Sequence, residues 1–184
     1  MKYLVLISFM MTSLPALAAD YNVDYAQSEI AFSGTHAGNE FNGIFEEWSA
    51  KISFDPDNLE ASSLIAKFNT KTAKTGNAMY DGTLPQADWF DTKNHPEAIF
   101  ISTSVTANED GSYKASGDLT IKEIKQPISF GFTLQDLQAS SVEVKANFPI
   151  DRFAFDIGKK SDPKAEWVSK EITLNIGLKA SKQQ

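Results

Sequence analysis

Ala87-Asp88-Trp89-Phe90-Asp91-Thr92-Lys93-Asn94-His95-Pro96-Glu97-Ala98-Ile99-Phe100 divides the chain into two kinds of sequence. Before it, residues 75–91 lack alternation and carry Gly76, Gly82 and Pro85; after it, Ile99 begins a long series in which apolar and polar residues alternate. Alternation of that period is the mark of a strand with one buried face. A short helical or irregular insert therefore hands the chain back to a sheet. Pro96 fixes its own φ and biases His95 toward extended backbone, which sets the direction of a strand starting near Glu97. Trp89 and Phe90, adjacent and bulky, are placed to plug one end of whatever that sheet encloses.

Working outward, Tyr21-Asn22-Val23-Asp24 reads as a first short strand, and Ile30 and Phe32 fall on one face of the next. Gly34-Thr35-His36-Ala37-Gly38-Asn39 interrupts the pattern as a loop. It resumes at Phe41, Gly43 and Phe45 and again at Trp48, Ala50, Ile52 and Phe54. Asp55-Pro56-Asp57-Asn58 has turn composition, and Leu64, Ala66 and Phe68 mark the strand beyond it. Thr75 is positioned to cap a short helix over 77–83 that Pro85 ends.

Downstream, Asn108-Glu109-Asp110-Gly111 is a hairpin signal between 99–105 and Tyr113. Leu119 and Ile121 extend that arm, and Pro127 reads as a turn. Ile128, Phe130, Phe132 and Leu134 share a face, as do Val142, Val144, Ala146, Phe148 and Ile150. The last pair of strands is Phe153-Ala154-Phe155 and 172–178, separated by a loop over 158–164. About eight short strands with turn signals between them and at most one short helix make an all-β chain, an antiparallel barrel or sandwich.

Aromatic content favours the barrel. Phe32, Phe41, Phe45, Trp48, Phe54, Phe68, Phe100, Phe130, Phe132, Phe148 and Phe155 all alternate with polar neighbours and converge on one interior. A closed sheet of about eight strands has room for its own side chains or for one apolar ligand. The aromatic face is thus either a packed core or a lining.

At the start of the chain, Lys2, the apolar run 3–14 and Ala16-Leu17-Ala18 have the charge, length and small-residue pattern of an export leader, with the mature domain expected over 19–184. The apolar run is shorter than the ~20 residues that cross a bilayer. The chain has no Cys, so neither disulfides nor a lipoprotein anchor is expected. The net charge is −7, and removing Lys2 leaves −8. That acidity disfavours nucleic acid as a partner. Transient membrane contact stays open, as do monomer and homodimer.

Several segments together resemble one family. Gly43-Ile44-Phe45 before Phe54-Asp55-Pro56, Leu84-Pro85-Gln86-Ala87-Asp88-Trp89-Phe90-Asp91 with His95-Pro96-Glu97-Ala98-Ile99-Phe100, Gly117-Asp118-Leu119-Thr120-Ile121 with Lys125-Gln126-Pro127-Ile128, and Arg152-Phe153-Ala154-Phe155 before Gly158 resemble the YceI-like family in its order. The resemblance implies a lipocalin-like, elongated eight-stranded antiparallel barrel with a short helical insert near 75–91, located in the bacterial periplasm. It further implies a polyisoprenoid, such as a quinone or a prenyl phosphate, or another long-chain amphiphile held along the interior. Two segments depart from the family pattern: Lys122-Glu123-Ile124-Lys125, where relatives have a Gly-containing turn, and the loop 159–167.

On this reading Phe32, Phe45, Trp48, Phe68, Met79, Trp89, Phe90, Phe100, Phe130, Phe132 and Phe155 are the candidate apolar lining. Met79 with Tyr80 either forms a flexible lid or docks the insert on the barrel. Arg152, which matches an Arg of the family, and His36 are the candidate head-group residues. For Arg152 the alternative is a structural ion pair with an Asp, and for His36 a solvated loop position. The two His residues lack companions at metal-ligand spacing, and no nucleophile elbow, His-Glu-x-x-His or phosphate loop occurs. No metal, no required cofactor and no catalysis are expected. Trp167, in a polar loop, is the feature that supports an interaction module instead.

Overall fold

The computed structural model describes residues 18–137 and 141–183. All but the last residue of the expected leader lies outside the described residues. Eleven strands follow in order: β1 (Ala19–Val23), β2 (Glu29–His36), β3 (Asn39–Phe45), β4 (Trp48–Phe54), β5 (Ser63–Asn69), β6 (Ala73–Lys74), then a helix α1 (Ala78–Thr83), β7 (Glu97–Ala107), β8 (Tyr113–Ile121), β9 (Ile124–Gln135), β10 (Ser141–Asp151) and β11 (Glu171–Lys182).

Eight of them, β1, β4, β5, β7, β8, β9, β10 and β11, pair antiparallel in that order, and the ring shuts where β1 meets β11. β2, β3 and β6 continue from β11 at the other end of the barrel. They do so because β11 is long enough to carry two partners on one edge, β1 at Ala180–Lys182 and β2 at Thr173–Gly177. Closure removes the unpaired edges that an open sheet would expose. Along β8 the inward set Ala115, Leu119 and Ile121 is buried, which is the alternation expected of a barrel wall.

Four local readings change. His36 belongs to a strand: β2 runs through it, and the loop shrinks to a tight turn with Ala37 and Gly38 at positive φ. Asn77, rather than Thr75, caps α1 by accepting from the N–H groups of Met79 and Tyr80, while Thr75 donates to Asp81 instead. Pro127 lies inside β9, opposite Asp118 of β8. Its missing N–H costs no ladder bond there, because β10 pairs with β9 only from Phe132 onward and leaves that edge of Pro127 open. Phe153-Ala154-Phe155 is not a strand but a single 3-10 turn, stopped by Asp156 at φ 52.

The turn between β8 and β9 is built without glycine. Ile121 pairs with Ile124, and Lys122 and Glu123 both take positive φ, 52 and 63. That is the I′ geometry whose twist suits a two-residue hairpin. No helix of the described residues is long and apolar enough to cross a membrane.

Candidate functional site: an apolar cavity along the barrel

The inward faces do not fill the barrel. A continuous cavity of about 200 Å³ runs along its axis, with a wall that is almost wholly apolar. The aromatic residues both pack on each other and leave this space. Phe130 stacks on Phe148 at 4.3 Å and leans on Phe100 at 5.4 Å, while Phe45 touches Phe32, Phe68 and Phe90 at 5.3, 5.6 and 6.1 Å. Rings held by such neighbours keep their places, so the void between them persists.

Of the expected lining, Phe32, Phe45, Trp48, Phe68, Trp89, Phe90, Phe100, Phe130 and Phe132 stand in the wall of this cavity. Met79 and Phe155 do not. Met79 points to water from α1, 69% exposed, because a six-residue helix has one face to dock and Tyr80 takes that contact. Phe155 is 1% exposed but lies outside the cavity wall, since the 3-10 turn removes it from the alternation of the strands. His36 is also outside the wall; its Nδ1 is 3.1 Å from the Tyr80 hydroxyl and ties the insert to β2. His95 lies between Asp91 and Glu123 at 3.7 and 3.8 Å. Among the described residues no group of three metal-ligating side chains forms.

Leu84, Trp89 and Phe90 from the central stretch stand in the cavity wall at one end. Sequence reasoning missed what holds this plug. Asp88 accepts from the N–H groups of Lys160 and Ser161, and its carbonyl accepts from Gly158 N–H at 2.7 Å. Burial alone would raise the Asp88 carboxyl, but the Ser161 and Lys160 donors outweigh it and hold the group below the usual carboxylate range. Gly158 packs so closely that a Cβ there would stand 2.8 Å from Arg152 Nη1 and 3.0 Å from the Trp89 ring.

Arg152 is the ionised residue of the cavity wall and is 1% exposed. Its Nε donates to Ser169 O, Nη1 to Ile157 O, and Nη2 to both Val168 O and the Asp162 carboxylate at 2.9 Å. Asp162 in turn accepts from the N–H groups of Glu166, Trp167 and Val168. Burial pushes the Arg152 guanidinium down, opposed by Asp162; burial pushes Asp162 up, outweighed by the three N–H groups and Arg152, so its carboxyl sits low. The loop 159–167 is therefore a strap closed by two carboxylates, Asp88 and Asp162. A signal for it was present in the sequence: an Asp beside Pro163 in a polar loop ten residues after a lone Arg.

The opposite end is rimmed by Tyr21, Ser62, Ser63, Phe54, Leu134 and Leu137. These come from β1, β4, β5, β9 and the segments that follow β4 and β9.

A family model described as "YceI-like domain" matches residues 21–180. A UPF0312 protein of Pseudomonas syringae pv. syringae is 33% identical over 116 residues, covering 61% of this chain and 60% of that one. The chain thus spans about 60% of the length of the curated relatives it matches. Burkholderia cenocepacia BcnA, a crystal structure, aligns over 87% of this chain and 100% of its own with a TM-score of 0.82 and 26% identity. A polyisoprenoid binding domain from Saccharophagus degradans, implicated in plant cell wall breakdown, aligns over 91% of this chain and 100% of its own, with a TM-score of 0.69 and 15% identity.

Proposed function

The chain belongs to the YceI-like domain family, and from that premise we propose that it is a periplasmic lipid-binding protein holding a polyisoprenoid-type amphiphile in the barrel, as a carrier or reservoir. The observation that carries this reading is the continuous apolar cavity of about 200 Å³ inside a closed barrel. An apolar void is unfavourable unless something fills it, and each CH₂ of a chain entering it contributes roughly 0.8 kcal/mol, offset by the chain's lost rotamer freedom. A flexible isoprenoid needs no hydrogen bonds along its length, which matches a wall that is almost wholly apolar. The fold likeness to a domain described as polyisoprenoid binding is consistent with this class of ligand.

No cofactor and no turnover enter the proposal. Organic extraction of natively purified protein, followed by mass spectrometry, tests it: a long-chain amphiphile near one per chain is expected. Repeated recovery of nothing apolar, together with no uptake of added isoprenoid, would overturn it.

A second reading, an interaction module that uses the barrel as scaffold, is favoured by Trp167, which is 61% exposed on the strap.

A further inference from the structure

The barrel wall carries a seam. Beside β11 the chain runs as β1, a 3-10 turn (Tyr25–Gln27) and β2, and the run next to that is β3 followed by β4. The two runs pair through Tyr21 and Ile52 above the seam and through Ala31 and Ile44 below it. Between those pairs the ladder stops, and no residue of 22–30 is in register with one of 45–51. Each lip is held from its far side instead. Ser28 Oγ accepts from the Lys179 N–H of β11, while Glu46 N–H donates to Thr72 O and the Glu47 carbonyl accepts from Asn69 N–H.

A side chain bridges the gap. Tyr25 sets its ring edge-on to Trp48 at 4.9 Å, and its hydroxyl accepts from Ala50 N–H at 3.3 Å. An outer pocket of about 370 Å³ opens here, and Phe45 and Trp48 stand in its wall as well as in the wall of the barrel cavity. Tyr25 lines the outer pocket alone and is 50% exposed. The two spaces are therefore parted by side chains where the rest of the wall is paired backbone.

Both ends of the barrel are harder to pass. At one, the segment bearing Trp89 and Phe90 is tied to the strap through Asp88. At the other, Phe54 of β4 meets Tyr113 of β8 at 5.2 Å, and Tyr113 stacks on Phe132 at 5.5 Å. β5 and β7 separate β4 from β8 in the ring, so that contact crosses the lumen. Passage at either end means moving a strap or parting three rings, whereas a half-exposed tyrosine changes rotamer on the ps–ns scale.

We propose that the seam is a lateral portal to the cavity, through which the apolar chain of a ligand enters and leaves when Tyr25 swings off Trp48. This rests on the lipid-binding reading above and adds to it a route and a gating residue. Tyr25 governs the rate of exchange and not the affinity, because it touches the path and not the cavity.

Stopped-flow fluorescence with N-phenyl-1-naphthylamine, an apolar probe that brightens out of water, tests the route on protein refolded to remove resident lipid. Tyr25→Ala should raise the association and dissociation rates together by about 3- to 10-fold, the worth of one edge-to-face contact. Kd should stay within about twofold, since a gate speeds both directions alike. The chain has no Cys, so a polyethylene glycol maleimide can be placed at single sites. On Glu46→Cys, an exposed position of the outer pocket, it should slow both rates several-fold. Parent-like rates in Tyr25→Ala, or slowing by the label on Lys160→Cys of the strap or Ser63→Cys of the rim but not on Glu46→Cys, overturn the portal while leaving lipid binding in place. Absence of any probe uptake overturns the lipid-binding reading and the portal with it.

Discussion

Arg152 and Asp162 meet at 2.9 Å with both side chains almost sealed from water, and between them they tie the carbonyls of Ile157, Val168 and Ser169 and the N–H groups of Glu166, Trp167 and Val168 into one buried network. Breaking such a pair from one side leaves a charge without a counter-charge. Asp162→Ala should cost about 3–5 kcal/mol in urea unfolding. A loss below about 1 kcal/mol would show that the strap does not depend on the pair.

Acid should loosen the same strap. The Asp162 and Asp88 carboxyls are both held below their ordinary range in the folded protein. A folded-state value below the unfolded one means that the stabilisation is present above the unfolded Asp value, about 3.9. It is lost as pH falls from there through the folded-state values. Urea midpoints measured from pH 7 down to pH 2 should fall below about pH 4, and the fall should be shallower in Asp88→Asn. Identical acid limbs in the two proteins would remove Asp88 from the account.

Gly158 has φ +64 and no space for a side chain between Arg152 and Trp89. Gly158→Ala should destabilise the protein by about 1–3 kcal/mol, because backbone strain and a clash with the plug add. A thermal midpoint equal to the parent's would show that the loop relaxes freely.

Ala146 stands in the cavity wall, half-buried, beside Phe132 of β9. Ala146→Phe directs a ring into the void, so the recovered lipid per chain should drop several-fold. Stability without lipid should change by less than about 1 kcal/mol, since the ring fills empty space rather than displacing packed atoms. Undiminished lipid recovery would place the ligand elsewhere.

Trp167 separates the two functional readings. Trp167→Ala removes an exposed ring and should leave lipid content unchanged and stability within about 0.5 kcal/mol. Loss of pull-down partners with lipid retained would favour the interaction module.

The strand pattern was legible because inward and outward positions alternate along every wall strand, and a plug at Trp89 and Phe90 was legible because two bulky residues interrupt that alternation. Pro127 and Phe153-Ala154-Phe155 misled for one reason. Proline is a turn signal and alternating Phe a strand signal only as averages, and which applies depends on the neighbouring strand. At Pro127 that neighbour, β10, does not pair, so the missing N–H costs nothing; at Phe153 the backbone turns where the Asp151 side chain accepts from the Phe153 N–H and caps a 3-10 turn.

A sheet with one aromatic face and an insert at its middle follows from side-chain period and local backbone preference alone. How the ring closes, how much space it leaves inside, and which charge answers Arg152 depend on long-range contacts. Each depends on residues far apart in the chain: β1 reaching β11, Asp88 reaching Ser161, Tyr21 reaching the rim beside Asp55. Distance along the chain carries no information about such pairs; only the closed ring brings them together.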